Sequence, residues 1–244
     1  MKNNETGHAK NVANLGLLIQ YCQTMGASYN PSKENIQLGP LHNLKAKADT
    51  ELQAISAETA AFNSAIDARI LIFSPLRPLS TRILSAFQAT NASKEAIQNV
   101  KSLNRKIQGR RATPISSPAP DTQETESPKN ISAAQLSFDQ QIQHLSDLLE
   151  LLKVEDSYAP NEGDLKVENL ESLKQMMTTS NNNAQTAYAL LSSKRIARNK
   201  TLYDPETGIV ALSLDVKNYV KSVFGSKSAE YKQISGIQFK TVNT

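Results

Sequence analysis

Residues 41–73 read LHNLKAKADTELQAISAETAAFNSAIDARILIF. Apolar or small side chains fall at Leu41, Leu44, Ala48, Leu52, Ile55, Thr59, Phe62, Ile66, Ile70 and Phe73, in steps of three and four. Such steps keep one stripe on one side of an α-helix, whereas a strand needs steps of two. At 1.5 Å per residue this helix extends for roughly 50 Å, well beyond the usual globular length. Pro40 suits its first turn, where a missing N–H costs nothing, and Pro75 and Pro78 end it. A second stripe of the same kind begins 129 positions later, at Leu170, Leu173, Met177, Ala184, Tyr188, Leu191 and Leu202.

Working outward from these stripes, segments 28–73 and 157–202 align without a gap, with about 11 of roughly 46 positions identical. The identities include Leu41/Leu170, Leu44/Leu173, Lys45/Lys174, Ala68/Ala197 and Arg69/Arg198. Ser28-Tyr29-Asn30-Pro31 precedes one long helix and Ser157-Tyr158-Ala159-Pro160 the other. Shorter apolar stripes predict helices over about 11–25, 79–89, 93–108, 136–153, 209–224 and 229–234. The predicted fold is all-α: two tandem divergent helical repeats, each with one long helix (about 41–73 and 170–202) packed with shorter helices into an elongated bundle. Repeat one covers 9–111 and repeat two 131–240. Residues 112–130, with Pro114, Pro118, Pro120 and Pro128 among Ser and Thr, read as a linker. Where the stripes differ, Asn181 replaces Leu52 and Arg195 replaces Ile66. The alternatives are polar register devices that face each other or a wetter second stripe, and the preferred expectation is a slight helix rotation that brings both to solvent.

The net charge of +4 conceals blocks. Residues 69–111 carry a net +8 and 172–244 a net +6, whereas 131–171 carry a net −7. The candidate basic patch is Lys101, Arg105, Lys106, Arg110 and Arg111, with Lys194, Arg195, Arg198 and Lys200 in the second repeat. The candidate acidic patch is Asp147, Glu150, Glu155, Asp156, Glu162 and Asp164. The basic residues have the charge to neutralise nucleic-acid phosphates in a salt-dependent way. Equally, the acidic opening of repeat two has the charge to dock on the basic end of repeat one, within a molecule or between copies, because complementary charge sets register. No aromatic platform, helix-turn-helix or zinc finger accompanies the basic residues, so nucleic acid is the alternative rather than the leading partner.

Catalytic patterns are absent from the sequence. His8, His42 and His144 are scattered, and His144 with Asp147 gives two ligands where a metal needs more, on what is expected to be a solvated face. There is no phosphate-cradling Gly-rich loop and no nucleophile elbow. Cys22, the single cysteine, excludes an intramolecular disulfide and a Cys-based metal site, and its place on an apolar stripe predicts a buried thiol. The polar start MKNNETGHAKN leads into no apolar signal region, and no apolar run has the length of a membrane span. A cytoplasmic location is expected.

Tyr29-Asn30-Pro31-Ser32-Lys33, Arg105-Lys106-Ile107-Gln108-Gly109, Tyr219-Val220-Lys221-Ser222-Val223-Phe224-Gly225 and Tyr231-Lys232-Gln233-Ile234-Ser235-Gly236 resemble an uncharacterised family of all-helical proteins of the Bacteroidetes. The resemblance covers most of the chain except the linker and implies a helical fold, a bacterial cytoplasmic home and no known activity. The expected function is that of a non-catalytic structural or interaction protein without cofactor or small-molecule substrate. Its expected partner is itself or another protein.

Overall fold

The computed structural model describes residues 7–110 and 136–241. The stretch 112–130, expected to be a linker, lies outside the described residues, as does Arg111. Among the described residues the regular elements are α-helices and single 3-10 turns, so the fold is all-α. In chain order the helices are α1 (His8–Thr24), α2 (Leu38–Phe73), α3 (Leu76–Gln88), α4 (Lys94–Gln108), α5 (Phe138–Lys153), α6 (Val167–Tyr203), α7 (Ile209–Phe224) and α8 (Ala229–Ser235).

The two long helices hold 36 and 37 residues. Each begins ahead of its stripe, because the stripe marks the first inward residue rather than the first helical one. α3 likewise starts at Leu76 rather than Leu79: Pro78 falls inside its first turn, where proline is tolerated. The Ser93 hydroxyl caps α4 by accepting from the Ala96 N–H, and Ser137 caps α5 by accepting from Gln140. Gly109 ends α4 in the left-handed region at φ 70°, and a Cβ there would come within 2.8 Å of the Leu136 side chain.

The chain forms two compact units, one joining Met1–Phe62 to Ala187–Thr244 and the other spanning Asn63–Thr186. Their make-up cuts across the division 9–111 and 131–240. Unit 1 holds α1, the start of α2, the end of α6, α7 and α8; unit 2 holds the end of α2, α3, α4, α5 and the start of α6. Each unit therefore draws on chain from both sides of residues 112–130.

In unit 1, α1 buries Val12, Leu15, Leu18, Ile19 and Cys22, and α7 buries Ile209, Leu212, Val216 and Val220. Leu41 and Ala48 of α2, Leu202 of α6, Ile234 of α8 and Ile237 complete that core. The long-helix segments run antiparallel here: Thr201 donates to the Glu51 carboxylate at 3.0 Å and Phe62 meets Tyr188 at 5.6 Å. In unit 2, α5 contributes Leu145, Leu148, Leu149 and Leu152 against Val100, Leu103 and Ile107 of α4 and Leu76, Ile83 and Phe87 of α3. Phe73, Leu170 and Met177 come from the long helices.

Two stripe positions face outward. Ile70 is 54% exposed and Tyr188 57%. At the end of α2 the face turned to the core is that of Arg69, Ile72 and Phe73, which leaves Ile70 on the far side.

Because each core needs both halves, residues 1–111 and 131–244 produced as separate polypeptides in one cell should assemble one to one. A tag on either half should retrieve the other, and the pair should part only in denaturant. Halves that purify singly as folded species would contradict this composition of the units.

Candidate interaction surfaces

Unit 2 brings the acidic opening of residues 131–171 onto the basic stretch that follows α2. Arg82 on α3 donates from Nη1 to Asp164 Oδ2, and from Nη2 to Asp164 Oδ1 at 3.1 Å. The paired charges raise the Arg82 pKa and lower that of Asp164. Both side chains are about half exposed, so solvent screens the pair heavily. The deeper contact is made by Arg69, whose guanidinium lies 4.0 Å above the Phe138 ring. Its Nη1 donates to Asn181 Oδ1 at 3.1 Å, and Asn181 Nδ2 donates to Asp139 Oδ1 at 2.8 Å. Phe138 in turn meets the edge of Phe73 at 4.8 Å.

Asn181 was expected to reach solvent and is instead 2% exposed, whereas Arg195 is exposed as expected. The carboxamide is held inside because it offers an acceptor to Arg69 and a donor to Asp139 together, which neither a leucine nor a single charge can do.

Of the candidate acidic residues, Asp164 alone meets the basic stretch. Asp147 accepts from Gln143 at 2.7 Å, Glu150 pairs with Lys153 at 3.0 Å, and Glu155 accepts from the Ser157 hydroxyl at 2.6 Å. Asp156 and Glu162 are exposed. Of the basic residues, Lys101, Arg105, Lys106 and Arg110 lie on and just after α4 and make no ion pair among the described residues. Lys94, Lys101 and Arg105 share one side of that helix, spaced seven and four apart.

Lys194, Arg195, Arg198 and Lys200 lie in unit 1 and do not form a single patch. Six residues of helix set Lys194 and Lys200 about 120° apart. Arg198 points inward, 8% exposed, donating from Nε and Nη2 to Asn199 Oδ1 at 3.0 and 2.7 Å. Burial lowers its pKa, and the nearby Arg195 charge lowers it further.

Unit 1 carries the counterpart of the Arg82–Asp164 contact with its polarity reversed. There the loop before the long helix supplies the cation, Lys33, and α7 the anion, Asp215, at 2.6 Å. The loops share a latch: Tyr29 donates to the Ile36 carbonyl at 2.5 Å, and Tyr158 to the Leu165 carbonyl at 2.9 Å. Tyr219 also meets Tyr29 edge-on at 5.3 Å and accepts from the Asn30 N–H at 2.9 Å. Sequence reading did not single out Arg69, Arg82, Lys33 or Asp215. Block charge does not tell which member of a block lies within reach of a partner, so it offered no signal for them.

A cleft of about 710 Å³ opens in unit 2 between α3 and the 157–162 loop, lined in part by Thr81, Arg82, Ser85, Tyr158, Asn161 and Glu162. Burial and the charges of Asp164 and Glu162 push the Tyr158 phenol up to about 12, so it stays protonated at neutral pH. The lining joins no nucleophile to a base. Among the described residues no three His, Cys, Asp or Glu side chains gather as metal ligands, and no helix is long and apolar enough to cross a membrane. His144, expected on a solvated face, is buried on the inner side of α5 beside Leu145 and Leu148.

Cys22 is fully buried in unit 1, and burial pushes its thiol up to about 11 from 9.0. Above pH 9 the unfolded chain loses this proton while the folded chain keeps it, so stability should fall as pH rises from 9 towards 11. The melting temperature should drop over that window, and drop less in Cys22→Ala. Replacing Asn181 by Ala should cost unit 2 roughly 1–3 kcal/mol, because a buried guanidinium loses its acceptor; denaturant titration reads this directly. Set against protein-family models, curated proteins and solved structures, the chain matches none.

Proposed function

We propose that this chain is a non-catalytic helical interaction protein, and that the cationic side of α4 receives an acidic surface. The observation that carries this reading is the division of labour in unit 2. Arg82 pairs with Asp164 and Arg69 is engaged by Phe138 and Asn181, while Lys101, Arg105, Lys106 and Arg110 make no ion pair among the described residues. Desolvating four unpaired cations is costly, so they stay in water until an acidic surface covers them. A second copy of the chain carries a surface of the right sign at Asp156 and Glu162, both exposed. Duplication of one helical unit supports a scaffold role, and the repeated Tyr latch and loop geometry speak for that ancestry.

The nucleic-acid alternative rests on the same four cations, which would release counterions from a phosphate backbone. No aromatic ring of the described residues is recorded against them, and stacking platforms are the usual companion of such sites.

Light-scattering mass after size exclusion, at low and high salt and with the 260/280 nm ratio recorded, separates these readings. Mass that grows at low salt with a protein-like ratio is the expected result. The triple change Lys101→Glu, Arg105→Glu and Lys106→Glu should abolish that growth without altering helicity. A high ratio that falls in salt would assign the surface to nucleic acid, and an unchanged triple variant would remove α4 from the interface.

A further inference from the structure

Among the described residues beyond α8 there is no further helix, and after the Gly236 cap residues 237–241 lie across unit 1 as an extended strap. Its side chains alternate: Ile237 is 8% exposed and Phe239 partly buried against the core, whereas Gln238 and Lys240 face out. That two-residue period belongs to extended chain.

What holds the strap is directed at its main chain. Asn14 donates to the Gln238 carbonyl at 2.7 Å. Asn11 donates to the Lys240 carbonyl at 2.8 Å and accepts from the Lys240 N–H at 3.2 Å, so one carboxamide reads both main-chain groups of one residue. From the other side Lys217 on α7 donates to the carbonyls of Ile237 and Ser235 and stands 5.5 Å from the Phe239 ring. The outward side chains of Gln238 and Lys240 receive none of these bonds.

Asn11 makes this groove more than a packing contact. It is 3% exposed, in the first turn of α1 at the start of its buried face, and the strap supplies partners for both ends of its carboxamide. A buried carboxamide without partners is costly, so the groove requires an extended main chain in that place while demanding little of the sequence beyond two apolar side chains. Main-chain bonds for affinity, with pockets at alternate side chains for specificity, are the general means of holding extended peptides.

We propose that the groove between α1 and α7 is a peptide-binding site, held in this structure by the chain's own strap. Its ligand class is an extended segment with large apolar residues two apart, as in Ile237-Gln238-Phe239-Lys240, and a free N–H on the residue after the second. Such a segment from another polypeptide enters when the strap leaves. The strap is tethered directly to α8, so it competes at an effective concentration on the order of millimolar.

The test uses the full chain and a fluorescent peptide with the sequence of residues 235–241. In the wild type the strap should suppress peptide binding. In full-length Ile237→Asp, whose own strap is weakened, polarisation should show binding tighter by roughly a hundredfold. Adding Asn11→Ala should abolish it. A peptide carrying Lys240→Pro, which lacks the N–H, should fail, while one carrying Gln238→Ala should bind as well as the parent. Hydrogen exchange confirms that the rest of unit 1 stays protected; should Ile237→Asp unfold it, Phe239→Asp, at a less buried position, replaces it. A folded variant with an unprotected strap and no affinity for the peptide would overturn the proposal. So would equal binding to the wild type, or indifference to the proline or to Asn11→Ala.

Discussion

A helix of ten turns carries a longer apolar stripe than a few short helices around one core can cover. That constraint governs this protein. A helix within a protein owes most of its stability to the burial of one face, so both ends of α2 and α6 must find cover. Leu41 and Ala48 find it under α1 and α7, Phe73 under α3 and α5, and α6 does the same with Leu202 in one core and Met177 in the other. Each long helix is thereby a member of two cores, and neither core is complete without chain from both sides of residues 112–130.

The polar groups differ in depth rather than in kind. Asn181 is buried between a partly buried Arg69 and an exposed Asp139, and its carboxamide, if it lost them, would have no substitute partner inside. Lys33–Asp215 and Arg82–Asp164 lie in solvent, where the same charges matter little for stability. Tolerance to substitution in unit 2 is accordingly least around Asn181, although the cluster of formal charge lies elsewhere, on α4.

Much of the helical architecture was legible in the chain. Steps of three and four located both long helices within a few residues of their ends, and shorter apolar stripes and the prolines marked the shorter ones. The assignment of helices to cores was not legible, because periodicity identifies the face a helix buries and not what covers it. Between the blocks 131–171 and 69–111 the ion pair formed is Arg82–Asp164, half in solvent. Which residues meet depended on depth and reach: Arg82 and Arg69 were passed over, while Arg198, nominated as a surface cation, turned inward. Asn181 misled for the same reason, since a polar residue on an apolar stripe looks alike whether it faces water or a buried partner. The strap at 237–241 alternates over too few residues to stand out in the sequence, and became visible only through Asn11 and Asn14.

The reversed polarity of the two loop contacts bears on how one copy of the chain is kept from exchanging parts with another. The loops before α2 and α6 share the Tyr latch, and each sits on the helix that follows the other long helix. Within one chain a helix of 36 or 37 residues separates each loop from the helix that follows its own, so that seat is out of reach. Between two copies, a loop entering the wrong seat would set Lys33 against Arg82 or Asp164 against Asp215, like against like. Weak, screened charges thus act as a lock-out rather than a glue: they add little to the structure that forms, but they penalise that exchange.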